Sequence, residues 1–338
     1  METIKRVTIS DIARLSGVSV STVSKAINGN YKDISQETRE KVMEVVKKYN
    51  YSPNKLARAI ARRQTDNIGL VIPNIGNPFF GEVAKGVADY AYSMGMNTIL
   101  CNSDDDINRE NKHLFSISKG MVDGIILTPV EGRTTGFKHI VPDSIPMVLL
   151  GTSSPTIGEK YIVVRTNSEY GAFCAVEHLI LLGHKHILYV GGSENSAISR
   201  YRFNGYIAAH KKYGLKVDYI KNYHGTLHSE WGEKAINDAI SKGIKFTAAF
   251  CANDLIAYGV MSALKLNNLQ IPEDVSIIGF DDLNLSSENI GLTSVSQPKC
   301  KLGKESAKAL ITLIQGGVAE DVLIEPVLVH RSTVCKIN

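Results

Sequence analysis

From Ile68 to the end of the chain, short continuous apolar runs alternate with amphipathic stretches: IGLVIP, TILCN, GIILTP and MVLLG, then YIVV, ILYVGG, TAAFCA and VSIIGFD, with a last strand near VLIEPVLVH. A strand that is apolar on both faces must be covered on both faces. Helices alternating with such strands therefore specify parallel sheets sandwiched between helices. The arrangement occurs twice, which predicts two similar α/β lobes with a cleft between them. Sheets of this kind bind ligands beyond the carboxyl ends of their strands. Several of the runs end there in polar residues: Pro73-Asn74, Asn102, Thr128, Gly151-Thr152, Asn253-Asp254 and Asp281-Asp282.

Residues 7–28, VTISDIARLSGVSVSTVSKAIN, follow a different rule. Thr8 or Ser10 can cap a first helix with the apolar stripe Ile9, Ile12, Ala13 and Leu15. Gly17 falls in the turn, and Ser19 caps a second helix that buries Val23, Ala26 and Ile27. The outer face of that second helix, Val20, Ser21, Thr22, Ser24 and Lys25, carries small groups able to enter a major groove. Ser35 starts a third helix, to about Tyr49, whose stripe of Val42, Val45, Val46 and Tyr49 closes a three-helix head. By pattern alone, an ordinary helical hairpin is the competing reading.

Charge distinguishes the two parts. Through Asp66 there are thirteen Lys and Arg against seven Asp and Glu, whereas the whole chain has 38 against 34, so the excess of positive charge lies in the head. A small basic segment on a slightly acidic body suits contact with a polyanion through one end. No apolar run approaches a membrane span, and the start METIKR lacks the apolar core of an export signal, so the cytoplasm is expected. The five cysteines are odd in number and scattered through apolar segments, which predicts buried free thiols rather than disulfides or zinc. GxxxxGK[ST], GxGxxG and GxSxG are all missing, and His184 and His186 have no companion carboxylate or cysteine cluster. No cofactor, metal or catalytic residue is expected.

Between the two parts lies YSPNKLARAIARRQT. Pro53 breaks the third helix and Asn54 can cap a short new one, with Leu56, Ala59 and Ile60 on one face and Lys55, Arg58, Arg62 and Arg63 on the others. A helix this short is unstable alone in water, so it should form only against a second copy or a DNA groove.

In their order along the chain, VTISDIARLSGVSVSTVSKAIN, YSPNKLARAI, IGLVIPNIGNPFF, VDGIIL, EHLILLGHKHI, RYRFNGY, ANDLIAYG, IPEDVSIIGFDD and LTSVSQP resemble the transcriptional regulators of the lactose-repressor (LacI/GalR) family. That resemblance implies a helix-turn-helix head over residues 1–52, a hinge over 53–66, and a periplasmic-binding-protein-like core over 67–338. The core would divide into one lobe of about 67–165 and 297–325 and another of about 166–296 and 326–338. It also implies a homodimer on a palindromic operator, usually as a repressor, controlled by a small molecule held between the lobes.

Carried over position by position, the family's base-reading residues fall on Val20, Ser21 and Lys25, and its phosphate contacts on Thr8, Thr22, Asn28 and Tyr51. Lys25 can serve as a guanine donor or as a phosphate contact, and both readings stand. In the hinge, Leu56 would pack on its partner copy. Ile60 stands where the family usually has a leucine that wedges into the minor groove, and its β-branch stiffens χ1. The effector positions fall on Phe79, Phe80, Asn102, Thr128, Arg202, Asn253, Asp254, Asp281 and Gln297, with Arg202, Asp254 and Asp281 at their centre. Departures are Arg165-Thr166-Asn167, where an aspartate often precedes the asparagine, and Leu227, where an aromatic is common. Ser196 and Ile198 replace the arginine and threonine with which the purine repressor holds its base. These changes favour a sugar, sugar phosphate or nucleoside-like polyol over a purine. The chain ends soon after His330 with no heptad tail, which predicts a dimer. The alternatives are a catabolite regulator gated by a phosphorylated carrier protein, a transport binding protein, and a two-lobe enzyme.

Overall fold

The computed structural model describes residues 7–52, 64–131, 133, 135–152, 161–217, 222–283 and 291–337. Residues 1–65 and 66–338 form two compact units.

In the first unit, α1 (Ile9–Ser16), α2 (Val20–Ile27) and α3 (Gln36–Lys48) follow in sequence. Thr8 caps α1 in a reciprocal box with Asp11, and Gly17 ends it in the left-handed conformation at φ 65°, which costs a glycine nothing. Ser19 and Ser35 accept hydrogen bonds from Thr22 N and Thr38 N and so cap the next two helices. Ile12, Ala13, Val23, Ala26 and Val42 form the buried centre, with Ile9, Ile27, Val45, Val46 and Tyr51 packed around it. Two expected core residues lie outside it. Leu15 is exposed because Ser16 takes the inward place on α1, its hydroxyl donating to Ile12 O. Tyr49 is exposed at the end of α3, and Tyr51 packs on the core instead. Leu56 and Ile60, with the hinge helix expected from Asn54, lie outside the described residues.

The second unit holds two six-stranded sheets. The first comprises β1 (Asn67–Ile72), β2 (Asn97–Asn102), β3 (Gly124–Leu127), β4 (Met147–Leu150), β5 (Ile162–Thr166) and β11 (Val322–Ile324), in the order β11-β5-β4-β3-β1-β2 and parallel throughout. The second comprises β6 (Ile187–Gly191), β7 (Asn222–His224), β8 (Ala248–Cys251), β9 (Ser276–Asp281), β10 (Thr293–Ser296) and β12 (Val327–Val329), in the order β12-β10-β9-β8-β6-β7, with only β12 antiparallel. Strands β3, β4, β6, β8 and β9 are buried along their whole length. The first sheet carries α4 (Pro78–Ser93), α5 (Ile107–Ser118) and α10 (Lys299–Ile314); the second carries α6 (Ser168–Leu181), α7 (Ala197–Lys212), α8 (Ser229–Ser241) and α9 (Asp254–Leu266).

The chain crosses between lobes three times, each within a few residues: from β5 to α6 at Asn167, from β10 to α10 at Gln297-Pro298, and from β11 to β12 at Glu325-Pro326. The single strand expected in VLIEPVLVH is in fact two, one in each sheet. Pro326 has no N–H to continue a ladder, so the strand breaks where the chain changes lobe. Strand β7, NYH, too short and polar to show in the sequence, closes the far edge of the second sheet.

Candidate effector cavity and nucleic-acid interface

The carboxyl ends of both sheets face a cavity of about 350 Å³. That is near the lower end of the range for small-molecule sites, so it suits a compact ligand. From the first lobe it is lined by Asn74, Phe79, Phe80, Asp105, Thr128, Glu131, Leu150, Thr152 and Arg165; from the second by Ser196, Ile198, Tyr201, Arg202, Leu227, His228, Asn253 and Asp281. The crossovers supply Thr166, Ser168 and Gln297.

Arg202 sits one turn into α7, fully buried, with its guanidinium 3.9 Å from the ring centre of Phe280. Its Nη1 donates to Ala252 O, and its Nη2 lies 3.5 Å from Asp281 Oδ1. Gln297 Nε2 donates to the same Asp281 oxygen at 2.6 Å. Burial pulls Arg202 down and pushes the Asp281 carboxyl up, while the charge of each opposes the shift of the other. Asp281 also holds φ at 114°, a conformation that L residues rarely adopt. It is fixed there by Lys299, whose Nζ donates to Asp281 O at 2.8 Å and Asp282 O at 3.1 Å. Backbone strain maintained by a buried lysine is typical of a site that needs one side chain aimed in one direction.

Three polar atoms of lining residues, Thr128 Oγ1, Thr166 Oγ1 and Arg202 Nε, are buried with no hydrogen-bond partner among the described residues. Leaving such groups unpaired costs roughly 1–3 kcal/mol each, and all three atoms are shielded behind the cavity wall. Phe79 and Phe80, edge to face at 5.2 Å, add an apolar wall against which a sugar ring can lie.

The structure places seven of the nine expected effector residues on the cavity wall, and two elsewhere. Asp254 does not reach it: at the start of α9 its Oδ1 accepts from Ser294 Oγ and its Oδ2 from Leu283 N, both at 2.6 Å. Burial, reinforced by the charge of Asp281, pushes its carboxyl up to about 8. Asp254 is thus a structural brace behind the site. Asn102 is likewise turned away, its Oδ1 accepting from Ile75 N to shape the loop after β1. Asn253 lines the cavity, but its side chain is already used: Oδ1 caps α9 at Ile256 N and Nδ2 donates to Leu227 O. Glu131 and Tyr201 on the wall, and Lys299 behind it, carry no mark in the sequence that singles them out by residue type. Glu131 follows a strand end, where such residues are to be sought; Lys299 looks like any other lysine in the sequence.

In the first unit, Val20, Ser21 and Lys25 lie on the exposed face of α2. Ser21 Oγ is 2.7 Å from Ser19 Oγ, and Thr22 Oγ1 is 2.8 Å from it. Lys25 Nζ is paired with Asp33 Oδ2. Asn28 ends α2 with its amide on Ser24 O, Thr8 is held in the capping box, and Tyr51, half-buried, has its phenol pushed up by burial. The face therefore presents one apolar group and several hydroxyls around a single partly neutralised cation.

Residues 8–54 match the model of the bacterial regulatory proteins of the lacI family, and residues 176–334 that of the periplasmic binding protein-like domain. The ribose operon repressor of Escherichia coli K12 is 33% identical over 96% of this chain and 99% of its own. The chain belongs to the LacI family. Another member, the HTH-type transcriptional repressor PurR of Vibrio campbellii, is 33% identical over 98% of this chain and 99% of its own. Among solved LacI-family structures, the lac repressor dimer bound to operator and the anti-inducer ONPF is 26% identical, with a TM-score of 0.86 over 98% of this chain and all of that one. A LacI-family regulator from Enterococcus faecium with bound ribose is 27% identical, with a TM-score of 0.70 over 80% of this chain and all of that one. The fold is that of the family: two parallel-sheet lobes preceded by a helix-turn-helix head. No helix among the described residues is long and apolar enough to cross a membrane, and no group of three His, Cys, Asp or Glu among them is placed to hold a metal.

Proposed function

We propose that this LacI-family transcriptional repressor works as a cytoplasmic dimer on a palindromic operator and that a small sugar held between its lobes sets its operator affinity. The observation that carries the effector reading is a cavity that sets the buried polar side chains of Arg202, Asp281 and Gln297 beside the rings of Phe79 and Phe80. Hydroxyls answer the first set and a ring face answers the second. Phe79, Phe80, Thr128, Arg202, Asn253, Asp281 and Gln297 form the effector site; Thr8, Val20, Ser21, Thr22, Lys25, Asn28 and Tyr51, with Leu56 and Ile60 in the hinge, form the DNA surface. A sugar is favoured over a purine by Ser196 and Ile198, small or apolar side chains on the cavity wall that cannot clamp a base edge with charge. Ribose-bound and xylulofuranose-bound regulators among the structural neighbours support the same class. Arg202 and Asp281, 3.5 Å apart, offset each other's charge, which suits the holding of an uncharged polyol.

The function divides along the chain, with residues 1–52 reading DNA, 53–66 coupling, and 67–338 sensing. The deciding experiment is a thermal-shift panel of pentoses, hexoses, their phosphates and purine bases on the full chain, since a ligand of the native state raises apparent stability by RT ln(1 + [L]/Kd). Stabilisation by a sugar that is lost in Phe79→Ala supports the reading; stabilisation by a purine alone overturns it.

A further inference from the structure

Among the cross-lobe contacts of the described residues, one carboxylate of the first lobe docks directly on the second. Glu131, in the loop after β3 of the first lobe, reaches the loop between β6 and α7 of the second. There its Oε1 accepts from Ser193 N at 3.0 Å and from Ser199 Oγ at 3.3 Å. Ser193 stands just ahead of α7 and Ser199 is in its first turn, and their hydrogen bonds at this helix end oppose the upward push that burial gives the Glu131 carboxyl. The same helix carries Tyr201 and Arg202 into the cavity.

Glu131 is held firmly on its own side. Two residues on, Arg133 is buried in an ion pair with Glu110 of α5, and Glu110 Oε2 accepts from Val130 N at 2.6 Å, so that the loop is pinned to the first lobe immediately before Glu131. On the second lobe, space is kept for it by a glycine. A Cβ on Gly192 would come within 2.7 Å of Glu131 Oε1 and 2.5 Å of Ser199 Oγ. A pinned carrier loop, an oriented donor pair and a residue whose missing side chain admits the carboxylate are three separate features that converge on one contact.

We propose that Glu131 is the positioning residue that sets the closure of the cleft: by docking on the first turn of α7, it fixes Arg202 relative to the first-lobe wall of the effector site. Its Oε1 is engaged by α7, and it acts on the effector site through that helix. The inference rests on the effector reading of the cavity, but its test requires no effector. On the neighbouring strand ends, His228 Nε2 lies 3.6 Å from Asp105 Oδ2, a second cross-cleft contact made by other residues.

The test is hydrogen exchange read by mass spectrometry on the full chain, comparing the parent with Glu131→Ala, Glu131→Gln and Gly192→Ala. In Glu131→Ala and Gly192→Ala, peptides covering residues 191–196 should exchange about tenfold faster, and peptides over 103–106 and 226–229, which carry the other cross-cleft contact, should also speed up, while β1, β3, β6 and β8 keep their protection. Glu131→Gln, whose amide oxygen can still accept from Ser193 N, should restore much of the protection. Unchanged exchange at 191–196 in both disruptive variants overturns the proposal. So does faster exchange at 191–196 with 103–106 and 226–229 silent, which reduces Glu131 to a local cap, and so does loss of protection throughout the first lobe. Failure of the sugar panel would instead remove the effector reading and leave these exchange results standing.

Discussion

Lys25 Nζ lies 2.8 Å from Asp33 Oδ2, so the one cation on the outer face of α2 is held by a carboxylate from the loop that follows the helix. Both side chains are substantially exposed, and a pair of that kind contributes little to stability. Its effect belongs to DNA binding, where Asp33 competes with the polyanion for the lysine. Asp33→Asn should raise affinity for duplexes of any sequence by a few fold at low salt, with the gain shrinking as salt rises. Fluorescence anisotropy at two salt concentrations measures it, and an unchanged or weaker affinity would contradict the competition.

Asp254 gives stability a pH dependence. Its carboxyl is raised from the usual 3.8 to about 8 in the folded chain, chiefly by burial, so the folded state holds a proton that the unfolded state has released. Stability from that proton is complete below about 4, declines as pH rises toward 8, and is gone above it. Asp254→Asn can keep both hydrogen bonds, its oxygen facing Leu283 N and its amide facing Ser294 Oγ. The melting temperature of the variant should therefore gain on the parent between pH 5 and 8 and stay level above 8. A constant difference across that range would show that Asp254 does not carry the proton.

Phe79 is the cavity residue whose loss is easiest to interpret, because it is only partly buried and makes no hydrogen bond through its side chain. Phe79→Ala should weaken binding of the stabilising sugar about tenfold while changing the unfolding midpoint little. Calorimetric titration and thermal unfolding of the same sample check both halves; undiminished sugar affinity would place the ring face elsewhere.

Helices α4 and α10 cross so closely that a Cβ on Gly303 would meet Val83 O at 2.1 Å, whereas one on Gly81 would meet nothing within 4 Å. Gly303→Ala should destabilise the chain by about 1–3 kcal/mol, as overpacking does, and Gly81→Ala should be neutral or stabilising by some tenths of a kcal/mol. Urea unfolding of the two variants distinguishes them, and equal effects would mean that the helices can part without cost.

What the sequence discloses follows from periodicity. Alternating strands and helices mark out two lobes because a strand such as Gly124–Leu127 is apolar along its whole length and can only be central. The caps Thr8, Ser19 and Ser35 are readable because a capping side chain acts within three residues of itself. Long-range partners leave no such trace. Asp254 stands beside Asn253 in the chain but faces away from the cavity, because its partners Leu283 and Ser294 come from another part of the lobe. Lys299 and Glu131 act on residues 18 and 62 positions distant, which no local pattern encodes. Leu15 and Tyr49 fit the helical period of their stripes yet lie outside the core, since the head is too small to cover every apolar position.

Occupancy of the cavity should govern the grip of the head on a particular DNA sequence. The most direct measurement selects duplexes from a random pool with the full chain and then titrates the best of them, and a scrambled control, with and without the sugar that stabilises the protein, in the parent and in Phe79→Ala. A palindromic winner should be bound at least about 10³-fold more tightly than the control. The sugar should change that affinity by about 5- to 150-fold, an effect that Phe79→Ala shifts to higher sugar concentration. A chain that enriches no sequence, or one whose preference is the same with the cavity filled and empty, would contradict this coupling.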